Sequence, residues 1–299
     1  MKVIRAEELG MCFGVRDALR ATESVPDPTL VTIHGELVHN PRVARQLGEA
    51  GFRQSLEDSR EAAVGTPVVL ITAHGVSNAE RQRLAAANKA LIDTTCPLVR
   101  RAHDAARELQ AEGRHVLLVG KAGHVEVRGI VEDLDSYDVI EAPDDVRSYE
   151  SRRLGIICQT TTPPDVVADV CARVRHRNPL ADVRVIDTVC RPTKLRQRAV
   201  LDLVRLVDAV VVVGGRNSNN TRWLVQVCRE HQTPALHVES AADLDPAWFA
   251  DVRAVGLTAG TSTLDETIDE VHRALELIGS HGRTTALPST GQLSFRGAR

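Results

Sequence analysis

Aromatic side chains are scarce in this 299-residue chain, which holds four Phe, two Trp and two Tyr, 3% in all. That scarcity argues against a surface for stacking nucleic-acid bases. Charge of one sign is lacking too: the formal net charge is −3 and the pI near 6.4. Global charge therefore gives no reason to expect nucleic acid or an anionic membrane as partner. No apolar run approaches the ~18–20 residues of a membrane span, and the best, Ala209–Val213, is only strand-length. Behind Met-Lys comes a strand rather than an apolar signal region or an Arg/Ser-rich transit segment. The expectation is a protein that stays in a reducing cytoplasm. No G-x-x-x-x-G-K-[ST] loop and no helix-opening G-x-G-x-x-G occurs, which excludes the common nucleotide and dinucleotide cradles. Tight C-x₂₋₄-C pairs of the structural zinc type are also missing.

What is present is an ordinary soluble composition, 43% hydrophobic and 26% charged, long enough for two or three small domains. The six cysteines, in a reducing compartment, point to metal or catalysis rather than disulfides. Three of them, Cys12, Cys96 and Cys190, share one context: a short β-branched strand, a turn, the cysteine, then a helix. A thiol at a helix N-terminus is expected to have a lowered pKa, which favours the thiolate that binds metal. Cys171 and Cys228 fall in amphipathic helices and Cys158 ends an apolar strand, so these three read as core.

The cysteines are spaced by about one small α/β domain, and the chain between them repeats. Each cysteine-led helix is followed by a strand ending in glycine (Gly35, Gly120, Gly214), and the fourth residue beyond is His39, His124 or Ser218. A second strand, turn and helix follows in each unit, the turns holding His74, Thr160–Thr162 and Thr261–Thr263. Continuous Val/Ile/Leu strands predict parallel sheets buried on both faces. The fold class is thus α/β, with three similar small parallel-sheet domains in a pseudo-threefold arrangement around one central site. Expected boundaries are 12–95, 96–189 and 190–278. Residues 1–11 supply a strand and turn that complete the third domain, and 279–299 form a flexible tail.

Ligands of parallel α/β sheets bind beyond the carboxyl ends of the strands, where all these turns lie. One thiolate per domain suits an iron–sulfur cluster, which can span three loops. Three protein ligands on a 4Fe–4S cube leave one iron open for an oxygen ligand, by analogy with open catalytic zinc sites. His39, His74 and His124, each read as starting a helix, predict ligand binding, and the other histidines read as surface or packing residues. Ser218–Asn220 and Thr261–Thr263 read as helix caps that double as a phosphate cage. Glu126, two residues after His124, reads as a first-turn Glu or as a proton donor relayed through Thr160 or Thr161.

The segments GMCFGV (10–15), ELVHN (36–40), AHGVS (73–77), DTTCPLV (93–99), GHVEVRG (123–129), QTT (159–161), NSNNTRWL (217–224) and AGTST (259–263) occur in a telling order. From residue 1 to about 278 the chain resembles the 4-hydroxy-3-methylbut-2-enyl diphosphate reductase (LytB) family. The resemblance implies a cloverleaf around a 4Fe–4S cluster held by Cys12, Cys96 and Cys190. It implies reductive removal of an allylic hydroxyl, giving isopentenyl and dimethylallyl diphosphates, with reduced ferredoxin or flavodoxin as electron donor. His39, His74, Ser218, Asn219, Asn220 and Ser262 would grip the diphosphate, with His124 beside them. Glu126 would deliver the proton, and Thr160, with Thr161, would order the hydroxyl. Met11 and Phe13 flank the first cysteine where GFCAGV is commoner, Asn219 replaces a frequent serine, and Leu264 a frequent proline. The alternatives are a divergent paralogue, a quinolinate-synthase-like 4Fe–4S dehydratase, and a non-enzymatic iron–sulfur sensor. The expected assembly is a monomer or a homodimer.

Overall fold

The computed structural model describes residues 1–56 and 64–281. Strand β1 (Lys2–Arg5) precedes helix α1 (Phe13–Glu23), which leads into β2 (Val31–His34), α2 (Pro41–Glu49), β3 (Arg53–Gln54), β4 (Val68–Ile71), α3 (Asn78–Ala86) and β5 (Ala90–Asp93). Helix α4 (Pro97–Ala111) opens the next unit, followed by β6 (His115–Val119), α5 (Val125–Val131), β7 (Tyr137–Ile140), β8 (Arg153–Cys158), α6 (Pro164–Arg177) and β9 (Asp182–Val185). The last comprises α7 (Arg191–Leu203), β10 (Ala209–Val213), α8 (Asn219–Glu230), β11 (Ala235–Val238), β12 (Ala254–Ala259) and α9 (Asp265–His281).

Three four-stranded parallel sheets result, in the orders β3-β2-β4-β5, β7-β6-β8-β9 and β1-β12-β10-β11. Chain start and chain end share a sheet: β1 pairs with β12 in the register Lys2↔Ala254 to Arg5↔Leu257. The apolar runs occupy the central strands. Val69–Ile71, Val116–Val119 and Val210–Val213 have no exposed surface, as expected where helices cover both faces. Cys158, Cys171 and Cys228 are buried core thiols. At about 25 cal/mol per Å² of apolar surface removed from water, these strands are the main anchors of each unit.

Helix α9 continues to His281, so Gly279–His281 belong to it rather than to the tail expected from residue 279. The remainder of that expected tail, 282–299, lies outside the described residues. No helix among the described residues is long and apolar enough to cross a membrane.

The units meet through polar contacts near the strand ends. Asn40 Nδ2 donates to the Ser262 carbonyl at 2.7 Å, and Ser262 Oγ donates back to the His39 carbonyl at 3.2 Å. Ser77 Oγ reaches Glu132 at 2.5 Å, and the Asn78 N–H donates to Asp133 at 2.8 Å. These bonds hold the first unit against the third and the second.

Candidate active site

The three cysteines of the repeat are the N-cap residues of α1, α4 and α7, and none uses its sulfur to cap its own helix. Their backbone N–H groups follow one pattern. Cys12 donates to Thr261 O at 3.2 Å, Cys96 to Ala73 O at 3.1 Å and Cys190 to Thr160 O at 2.9 Å. Each acceptor lies in the second polar turn of a unit, so the internal repeat survives as a hydrogen-bond repeat. The turns also converge: a Cβ placed on Gly14, just after Cys12, would fall 2.6 Å from Cys96 Sγ. Cys12 and Glu126 are near enough to act electrostatically on both Cys96 and Cys190.

The expected lowering of the thiol pKa is not found at two of these positions. Burial pushes Cys96 up and Cys190 up to about 11, outweighing the backbone N–H groups near Cys96 and, at Cys190, the Thr193 hydroxyl and N–H that favour the thiolate. Desolvation penalises an uncompensated thiolate more than a helix end rewards it. A bound cation would reverse that balance, because metal displaces the proton.

Glu126 is 2% exposed in the first turn of α5. Its Oε1 accepts from the Thr160 N–H at 2.6 Å and its Oε2 from the Thr160 hydroxyl at 2.9 Å. Burial raises its pKa to about 7 against the pull of those two bonds. A buried carboxyl poised near neutrality can give a proton where an ordinary Glu would already have lost it. Thr160 thus touches both parties, holding Glu126 through its donors and the Cys190 N–H through its carbonyl.

His39, His74 and His124 come together although they lie in different turns. Ring centroids are 4.7 Å apart for His39–His74, 5.4 Å for His39–His124 and 5.7 Å for His74–His124. The expectation that each starts a helix holds for His124, the N-cap of α5, whose Nδ1 accepts from the Glu126 N–H at 3.2 Å. It fails for the others. Asn40 caps α2 in place of His39, accepting from the N–H groups of Arg42 and Val43 ahead of Pro41. Ser77 caps α3, three residues beyond His74. Gly75 and Gly123, at φ +71° and +76°, make the turns that swing His74 and His124 inward, a conformation a Cβ disfavours.

His39 Nδ1 meets Glu36 Oε2 at 3.0 Å, which leaves Nε2 buried with no protein partner. The carboxyl of Glu36 is held below its usual range chiefly by that bond. Asn220 is 4% exposed and its Nδ2 is likewise unsatisfied. Ser218 caps α8 through the Thr221 N–H. Asn219 is half-buried and its side-chain oxygen is taken by Arg222. Ser262 sits in the seam described above, 6% exposed, and Thr161 is half-buried beside Thr160. The Thr261–Thr263 turn is not a cap: Thr263 Oγ1 donates to the Val213 carbonyl at 3.0 Å, tying the turn to β10.

Two residues were not singled out by motif reading. Glu36 orients His39 from three residues upstream in the turn before α2, and no local spacing rule marks such a pair outside a helix. Thr193 places its hydroxyl 3.1 Å from Cys190 Sγ, and only the fold makes that visible. Among the described residues no three His, Cys, Asp or Glu side chains gather closely enough to grip a single ion.

The LytB protein family model matches residues 3–276. The 4-hydroxy-3-methylbut-2-enyl diphosphate reductase of Pelobacter propionicus is 38% identical over 274 residues, 91% of this chain and 96% of that protein. The protein of the same name from Aquifex aeolicus is 33% identical, covering 92% of this chain and 96% of its own. A solved structure of (E)-4-hydroxy-3-methyl-but-2-enyl diphosphate reductase, terminal enzyme of the non-mevalonate pathway, superimposes with a TM-score of 0.67 at 34% identity, covering 93% of this chain and all of that one. That of the E-1-hydroxy-2-methyl-but-2-enyl-4-diphosphate reductase from Plasmodium falciparum gives 0.81 at 25% identity, covering 92% and 87%. The chain belongs to the LytB protein family, the family of the 4-hydroxy-3-methylbut-2-enyl diphosphate reductases.

Proposed function

We propose that this chain is an oxidoreductase that removes the allylic hydroxyl of (E)-4-hydroxy-3-methylbut-2-enyl diphosphate, giving isopentenyl and dimethylallyl diphosphates. The observation that carries the reading is Glu126, a buried carboxyl raised to about 7, lying among the three cysteine turns and beside the histidine trio. Replacing C–OH by C–H takes two electrons and two protons, one leaving with the hydroxyl as water and one ending on carbon, and this is the buried acid placed to give one of them.

The donor set fits an iron–sulfur cluster. Three thiols stand at three helix N-termini from three units, and Gly14 leaves room at Cys96 Sγ that a Cβ would fill. Cys12, Cys96 and Cys190 would hold a 4Fe–4S cluster with one iron lacking a protein ligand. When bound, it supplies two electrons, delivered by reduced ferredoxin or flavodoxin, and Lewis acidity toward the substrate's hydroxyl oxygen.

The protein's own part is binding and proton supply. His39 Nε2 and Asn220 Nδ2, buried and unsatisfied, are the groups an oxygen-rich anion would complete, and a buried polar atom left alone costs about 1–3 kcal/mol. The free N–H groups at the start of α8 add the helix-end preference for phosphate. His74, His124, Ser218, Asn219 and Ser262 line the same turns. With its pKa raised to about 7, Glu126 is about half protonated at neutral pH, and Thr160 orients the carboxyl, with Thr161 beside it.

The test is turnover by anaerobically reconstituted protein with a chemical reductant and the hydroxylated allylic diphosphate. Formation of both five-carbon diphosphates is expected. Protein that carries the cluster and leaves the substrate intact would make the reading wrong, and would favour a dehydratase or a sensor.

A further inference from the structure

Arg196 lies on α7, six residues after Cys190, and is only 3% exposed. All its hydrogen bonds go to backbone carbonyls. Nε and one Nη donate to Gly10 O at 3.1 and 2.5 Å, and the other Nη donates to Pro192 O at 3.1 Å. Among the described residues it joins no ion pair. Arg114 is the contrast: 9% exposed, it meets Glu112 at 2.7 Å and Asp182 at 2.8 Å. This chain therefore pairs a buried guanidinium with carboxylates elsewhere, as the cost of a buried uncompensated charge requires.

The charges that act on Arg196 are Cys12, Glu8 and Cys190, opposed by Arg16, and its bonds to Gly10 O and Pro192 O seat it on the backbone two residues from Cys12 and two from Cys190. Arginine does not shed its proton, so its countercharge must come from that side. We propose that Arg196 is the fixed counter-cation of the anionic centre shared by Cys12 and Cys190. It is also the positioning residue that ties the Gly10–Cys12 turn to the Cys190 helix. The inference rests on the cluster-bearing function proposed above. It adds a consequence, because a fixed positive charge beside a cluster favours the reduced, more negative state and raises the midpoint potential.

The experiment compares the full chain with Arg196→Gln and Arg196→Lys after anaerobic reconstitution. It reads iron and sulfide content, the midpoint by redox titration, and melting of the cluster-free proteins. Gln should leave about tenfold less reduced cluster at a fixed potential, a midpoint about 59 mV lower for a one-electron couple. Lys, keeping the charge, should stay near wild type. An unchanged midpoint in Gln, or equal drops in Gln and Lys, overturns the counter-cation. Where Gln takes up no cluster, Lys decides: iron and sulfide near wild type in Lys support the counter-cation, and a Lys variant as empty as Gln makes Arg196 a clamp alone and overturns it. Wild-type protein that takes up no iron–sulfur would overturn the proposed function itself, a different result from a loaded variant with an unmoved potential.

Discussion

Thr160 gives the Glu126 carboxyl both of its oxygen partners, the N–H at 2.6 Å and the hydroxyl at 2.9 Å, and its own carbonyl takes the Cys190 N–H. One residue thus joins the buried carboxyl to a cysteine turn. Replacing the acid by its amide tests the donor directly. Glu126→Gln keeps the shape and the contact with the Thr160 hydroxyl but has no acidic proton to give. Turnover should fall about 10²–10⁴-fold, the usual worth of a general acid, with iron and sulfide content unchanged. Retained activity would remove Glu126 from the mechanism.

The pH profile follows from the same pair. Burial raises the Glu126 pKa to about 7, while the bonds from Thr160 oppose the rise because they favour the carboxylate. Turnover that needs the protonated acid should decline above about pH 7. Thr160→Val deletes one of the opposing bonds, so the alkaline limb should move to higher pH. A limb that stays put, or moves down, would contradict this assignment.

Stability without the cluster carries a matching signature. The folded-state pKa of Glu126, about 7, lies above its ordinary 4.5. Its share of stability is therefore fully present below about pH 4.5 and is lost as pH rises through about 7. At 1.36 kcal/mol per unit the loss is about 3 kcal/mol. Glu126→Gln, with no charge to bury, should show a flatter stability profile between pH 5 and 8 in denaturant titrations of the cluster-free protein. Parallel profiles for the two proteins would refute it.

The central strands and the cysteine turns were legible because each leaves a local trace. β2, β4, β6, β8, β10 and β12 are the apolar runs, and the glycine-then-polar turns mark their carboxyl ends. Strands β3, β7 and β11 left none: they are edges, with Arg53, Tyr137 and Asp138 among their residues, and pairing rather than hydrophobicity makes them strands. The three histidines picked out from the turns do lie together in space, yet the caps of α2 and α3 fall to Asn40 and Ser77, better N-cap residues than histidine. The thiol pKa reading failed at Cys96 and Cys190 because burial is a tertiary property that no local motif encodes. Arg196 carries no motif, and only the fold shows that it is 3% exposed.

Asn220 tests the diphosphate grip. Its buried Nδ2 has no partner in the protein, so its removal leaves no orphaned neighbour and should be well tolerated by the fold. A hydrogen bond to a charged group is worth about 1.5–3 kcal/mol, about 10–100-fold in binding. Asn220→Ala should raise KM by that factor with a much smaller change in kcat. An unaltered KM would place the diphosphate elsewhere.

Gly14 tests whether the cysteine turns are packed for a cluster. It lies in α1, where alanine is the better helix former by roughly 0.5–1 kcal/mol, and without a cluster the Cys96 sulfur can rotate away, so the cluster-free protein should lose little stability with Gly14→Ala. The new Cβ, however, would meet Cys96 Sγ at 2.6 Å and Cys96 Cβ at 3.1 Å. One of the two turns must then shift, and overpacking of this kind costs about 1–3 kcal/mol. If Cys12 and Cys96 serve one cluster, that strain falls on the loaded state, and the variant should lose iron tenfold or more faster than wild type. Gly48, an exposed helix glycine with nothing within 4 Å of its added Cβ, is the control, and Gly48→Ala should change neither melting nor iron retention appreciably. A Gly14→Ala protein that holds iron as firmly as the control would mean that the Cys96 sulfur has freedom to move, and that the close approach at Gly14 is no part of how the cluster is held.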